Sequence, residues 1–173
     1  LSVLPGVTQN LRFVTAEIYL LRHGIETVEP DAPGLTELGS ARIRRVVRGL
    51  IWMGASFDVI LCGDDAASRE TALALARAFE SPPPVVETPV LGRAGSAEAA
   101  LQELLRAKPG SSLAAVGCDH VLGAVAARLM GASRPLNFKK GAACRIDLDA
   151  ESGSGRLRWF LPPKILREMG RWD

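Results

Sequence analysis

The stretch IYLLRHGIE, residues 18–26, sets four apolar residues directly before an arginine, a histidine and a glycine. Those three types, at adjacent positions after a strand-like run, suit phosphoryl transfer. A neutral imidazole, here His23, can attack phosphorus in line and carry the group as a phosphohistidine. Charge then spreads over the equatorial oxygens and must be met by fixed donors. Arg22 offers a planar fork for that task, and Gly24 would let the backbone come close to the anion. This chemistry needs no metal or cofactor, and the sequence has no convincing carboxylate or His/Cys ligand set. Arg-His-Gly alone is a short motif, and a histidine after a strand is commonly a hydrogen-bonded structural residue. The elements around it decide between the two.

Those elements alternate. Ile18–Leu21 reads as a buried strand. Thr36 can cap a helix running to about Gly54, with Leu38, Ala41, Val46, Leu50 and Met53 on its apolar side. Arg42, Arg45 and Arg48 of that helix read as a solvated face rather than an anion-binding patch. Phe57–Cys62 is a second buried strand, followed by a helix through ASRETALALARAFE that SPPP at 81–84 stops. A short strand at Val85–Leu91 leads to a helix at about Ser96–Lys108. LAAVG at 113–117 is a strand and DHVLGAVAARLMG a helix. GAACRIDLDA and RLRWFLP flank ESGSG as a terminal hairpin. Alternation of this kind predicts a three-layer α/β domain over residues 17–173, with a mainly parallel sheet and a C-terminal hairpin, after an irregular leader at 1–16. Ligands of such sheets bind outside the carboxyl ends of the strands. Arg22 and His23, Gly63–Asp65 and Cys118–His120 all follow strands in that way.

Composition narrows the setting. A chain of 173 residues with 47% hydrophobic content is one domain with a real core. A net charge of +2 gives no argument for nucleic acid or a membrane surface. The longest apolar stretch, around Leu113 to Met130, is broken by Asp119, His120 and Arg128, so it does not read as a membrane span. Three widely spaced cysteines, Cys62, Cys118 and Cys144, indicate reduced thiols and a cytoplasmic location. Residues 1–16 show no signal-peptide pattern.

The pieces taken together resemble the histidine phosphatase superfamily, with its phosphoglycerate-mutase-like fold, and within it the small phosphohistidine phosphatases of the SixA type. The resemblance covers about residues 17–166. It rests on IYLLRHG, the Leu-Thr-x-x-Gly helix start at 35–39, Thr71-Ala72, Val116-Gly117 and the closing FKKGAA…WFLPP hairpin. It implies that His23 is the phosphorylated nucleophile and Arg22, with Gly24, a phosphate clamp. It also implies a substrate that is a phosphohistidine-bearing signalling protein or a small phosphate ester, and a monomer or weak dimer.

The chain departs from the family in two places. Relatives read Ser-Pro-x-x-Arg-Ala-x-x-Thr-Ala after the second strand; anchored on Thr71-Ala72, Ala67 takes the place of the phosphate-binding arginine. Relatives read Val-Gly-His-Asn-Pro after the later strand; here Cys118 replaces the histidine. Both loops gain aspartates, Asp64, Asp65 and Asp119. Each lost donor would cost about 10²–10³ in rate. Arg69 and His120, each two residues further on, are candidate substitutes, and Arg93 or Arg145 could reach in from elsewhere. Glu26 is a candidate proton donor to a leaving group. Cys62 and Cys118 do not fit Cys-x5-Arg chemistry, since Ser68 and Ala124 lie where the arginine would be. Two readings stand: a phosphatase working through His23, and a catalytically impaired relative that binds a phosphorylated ligand or a protein.

Overall fold

The computed structural model describes residues 14–149 and 151–171. Most of the expected leader, residues 1–13, lies outside them. Strand β1 (Ala16–Arg22) begins at the end of that leader and is buried on both faces, as its unbroken apolar run requires. Helix α1 (Glu37–Trp52) starts where Thr36 accepts the Gly39 amide in its side chain. Then follow β2 (Val59–Cys62), α2 (Ala66–Ala76), β3 (Val85–Glu87), α3 (Ala97–Leu104), β4 (Ser112–Gly117) and α4 (Asp119–Met130). The chain closes with β5 (Ala143–Asp149), β6 (Ser154–Leu161) and α5 (Pro163–Met169).

The six strands lie in the order β3-β2-β4-β1-β5-β6. Strands β1 to β4 are mutually parallel, whereas β5 runs antiparallel to β1 and β6 antiparallel to β5. Two apolar layers cover the sheet. Leu104, Val121, Leu122, Val125 and Leu129 of α3 and α4 pack with Ile18, Leu20 and Ala115 on one face. Ile43, Val46, Val47 and Leu50 of α1, Leu75 of α2 and Leu166 of α5 pack with Tyr19, Leu21, Ile60 and Val116 on the other. Residues alternating along β1 therefore feed opposite cores, as the period of a strand demands. No helix among the described residues is long and apolar enough to cross a membrane.

Four details differ from the sequence expectations. Leu38, placed on the apolar side of α1, is 54% exposed, because Ile43 and Val47 set the buried stripe one step round the helix. The strand expected to reach Leu91 ends at Glu87. Pro89 cannot donate to a ladder, and Pro89–Leu91 forms a single 3-10 turn instead. Helix α3 ends at Leu104, well short of Lys108. Helix α5 carries no sequence signal of its own. It is seven residues long, too short for a period to show, and is anchored by the fully buried Leu166.

Candidate active site

The parallel run of β1, β2 and β4 brings their carboxyl ends to one edge of the sheet. Arg22 closes β1 opposite Gly117 of β4, and the His23 amide donates to the Gly117 carbonyl at 3.2 Å. Cys118 and His120 begin the α4 side of the same edge. A fourth segment joins from β3. At the end of the 3-10 turn, the Leu91 carbonyl accepts the Cys118 amide at 3.1 Å. Gly117 makes that approach possible, since a Cβ there would stand 2.5 Å from the Leu91 oxygen. Arg93 follows two residues later. The result is an open depression of about 290 Å³ lined by Arg22, His23, Glu26, Arg93, Cys118, Asp119 and His120.

The imidazole of His23 is 3% exposed, and its Nδ1 lies 2.8 Å from the Gly24 carbonyl oxygen. A carbonyl only accepts, so Nδ1 carries the hydrogen and Nε2 of the neutral ring keeps a free lone pair. Ring orientation and tautomer are thus set by backbone, and the unprotonated nitrogen belongs to a side chain that lines the depression. Arg22 is held equally firmly. Its Nη1 donates to the Phe138 carbonyl at 2.5 Å, and its Nε is buried without a partner. A buried guanidinium donor left unpaired costs stability and is the kind of group an anion would satisfy. Asp119 fixes this clamp from behind. Its Oδ1 accepts the Phe138 amide at 2.8 Å, so one carboxylate places the carbonyl that places Arg22.

Gly24 has a different role from the expected approach to an anion. Its amide donates to Thr71 Oγ1 at 3.1 Å, so it is already used. Thr71 in turn donates to the Ala67 carbonyl at 2.8 Å, tying the His23 loop to α2. A Cβ on Gly24 would meet Ile43 Cγ1 at 2.6 Å. Glycine is needed there because α1 packs against the loop.

The candidate substitutes separate cleanly. Arg69 turns away from the depression. Its Nε and Nη2 grip both oxygens of Glu87, at 2.6 and 2.9 Å, and Nη2 also meets the Asp64 carbonyl. This bidentate pair raises the Arg69 guanidinium and lowers the Glu87 carboxyl, chiefly through their hydrogen bonds. Arg69 therefore does not stand in for the arginine missing at Ala67. Arg145 lies within the sheet, paired with Glu17 and Asp147 and set over the Tyr19 ring. His120, in the first turn of α4, lines the depression and is exposed. Arg93 is the long cation that the topology brings in. Its side chain is 65% exposed and it pairs with Glu26 through Nη2. Nothing local in the sequence distinguishes it, because it reaches the site only through the packing of Leu91 on β4.

Three of the nearby carboxylates are engaged. Asp65 caps α2 by accepting the Ser68 amide at 2.9 Å, Asp119 holds Phe138, and Glu26 bridges Arg93 and Lys140. Ala67 leaves room where a long side chain would stand. It lines a wider space of about 650 Å³ with Glu26, Arg93, Asp65 and Lys140, and this space shares Glu26 and Arg93 with the His23 depression. Burial, and next the nearby Asp65, pushes the Cys118 thiol up to about 11, so it stays protonated near neutrality and serves as packing. Among the described residues no group of three or more His, Cys, Asp or Glu is placed to hold a metal ion.

No protein-family model and no curated protein matches the sequence. Solved structures match the fold. The protein histidine phosphatase SixA, determined with tungstate, superposes with a TM-score of 0.79 at 21% identity, over 87% of this chain and 99% of that one. A chain from Agrobacterium tumefaciens that bears the SixA name gives 0.73 at 24% identity, over 87% and 100%. Phosphoglycerate mutase from Plasmodium falciparum gives 0.66 at 21%, over 85% and 91%. The chain therefore has the phosphoglycerate-mutase-like α/β fold, in the compact form that SixA takes.

Proposed function

We propose that this chain is a metal-independent phosphatase that works through a phosphohistidine on His23. The observation that carries the reading is the ring itself: Nδ1–H is committed to the Gly24 carbonyl, and Nε2 keeps a free lone pair on a side chain that lines the same depression as Arg22. The likeness in fold to SixA, whose structure holds tungstate, an analogue of phosphate in shape and charge, supports an oxyanion ligand for this chain.

In the proposed reaction, Nε2 attacks phosphorus. The N–P bond forms as the bond to the leaving group breaks, and the leaving group takes the electron pair and a proton from solvent. Water then attacks the phosphohistidine, the N–P bond breaks back to His23, and phosphate departs as the water proton is released. Arg22 meets the equatorial oxygens with the edge of its guanidinium that Phe138 leaves free, while Phe138 and Asp119 hold it in place. Arg93 supplies the second guanidinium from a different segment, in place of the arginine absent at Ala67, and His120 is the imidazole nearest the role vacated at Cys118. The open depression suits a phosphorylated histidine on a signalling protein, and a small phosphate ester would also enter. Three free cysteines fit a cytoplasmic setting.

Arg93 gives the test. Arg93→Ala should lower kcat/KM for phosphate release by about 10²-fold, the usual loss for one transition-state donor. Arg69→Ala should stay within about twofold, since it removes an outward surface pair. Because Arg93 is exposed, its truncation leaves the fold intact, which a thermal melt checks. Equal activity of the two variants would remove Arg93 from the site. A wild type that binds tungstate but releases no phosphate would support the reading as a non-catalytic binder instead.

A further inference from the structure

A second cavity, of about 340 Å³, lies on the α1 side of the His23 loop, where Gly24 forms part of its wall. Three separate segments send cations into it: Arg42 from α1, Lys139 and Lys140 from the loop before β5, and Lys164 and Arg167 from α5. No aspartate or glutamate lines it. Among the described residues, Arg42, Lys139, Lys164 and Arg167 make no ion pair, and the cavity wall offers them no carboxylate, whereas Lys140 pairs with Glu26. Like charges gathered without counter-charge repel one another and favour an anionic ligand. Burial and then the Arg42 charge push the Arg167 guanidinium below its ordinary value, which reports that crowding. Lys140 also lines the wider space next to Glu26, and that space shares Glu26 and Arg93 with the His23 depression. A bound chain could therefore run from one cavity to the other.

We infer that this basic cavity is a docking site for an acidic segment of a partner protein, the segment that flanks the phosphorylated side chain presented to His23. Charge complementarity selects the partner. Four cations without an ion-pair partner, spread over three segments, exceed what one phosphate needs, and the lining between them is apolar, from Ile43, Val46 and Pro163. Arg42, which the sequence placed on a solvated helix face, becomes part of the binding wall. Naming the segment as part of the substrate rests on the phosphatase reading, whereas the binding does not.

The test is fluorescence anisotropy with a labelled octaglutamate peptide, alongside phosphate release from a small phosphomonoester. Wild type should bind the peptide at low salt and lose it as salt rises. Arg42→Glu combined with Arg167→Glu should weaken binding at least about tenfold, as charge reversal at such an interface predicts. Release from the small ester should stay at the wild-type rate. Lys139→Glu with Lys164→Glu, two exposed positions, repeats the test if the first pair fails to fold. Unchanged peptide binding in a folded charge-reversed variant overturns the proposal. Tighter binding of a single-stranded oligonucleotide or of anionic vesicles than of the peptide overturns it in favour of those ligands. Peptide binding that depends on these cations in a protein with no phosphatase activity would sink the proposed function and leave the docking surface standing.

Discussion

His23→Ala should abolish phosphate release, with kcat/KM falling by about 10⁴–10⁶, the range seen when a nucleophile or its partner is removed from a site acting as a unit. The size follows from the proposed chemistry. Without Nε2 there is no covalent intermediate, and a single difficult step replaces two easier ones. Arg22 and Arg93 would still bind the anion, so affinity for tungstate should fall far less than rate. That split separates a nucleophile from a group that only binds. His23→Gln is a useful companion, since an amide can fill much of the space and keep a contact with the Gly24 carbonyl but cannot carry a phosphoryl group.

Arg22→Lys should lower kcat by about 10²–10³, with a smaller change in KM. Lysine keeps the charge and can reach the Phe138 carbonyl, so the buried acceptor stays satisfied and the fold should hold. What disappears is the fork: one ammonium cannot hold Phe138 and present directed donors to phosphoryl oxygens together. Asp119→Asn should be milder, because an amide oxygen can still accept the Phe138 amide and keep the clamp in register. If Arg22→Lys left kcat unchanged, Arg22 would be a structural tie to Phe138 and the clamp would have to lie elsewhere.

The architecture was legible because local and global signals agree at its main elements. The continuous apolar run of β1, the Thr36 cap of α1, the Val-Gly end of β4 and the glycine-rich hairpin each carry their own signal. Elements without one were missed or misjudged: α5 is a single buried leucine on two turns, and Val85–Leu91 is cut by Pro89. The site divides along the same line. Arg22 ends a central strand of the sheet and His23 follows it, so their placement follows from the order of elements. Arg93 arrives through a long-range contact, Leu91 on β4, that no spacing encodes. The fates of Arg69 and Gly24 were set by partners distant in sequence, Glu87 for the arginine and Ile43 and Thr71 for the glycine. Asp119 reads as an added negative charge in the sequence, yet in the fold it is spent on the Phe138 amide.

The covalent phosphoenzyme is the claim on which everything else rests, and it can be observed directly. Wild type mixed with a phosphohistidine protein or an activated phosphomonoester, quenched rapidly under alkaline conditions and digested, should yield a phosphoryl group on the peptide that carries His23. That modification should be lost on brief acid treatment, as the N–P bond requires, and should be absent from His23→Ala. Turnover by the wild type with no phosphorylated His23 at any quench time, or equal turnover by His23→Ala, would contradict the account.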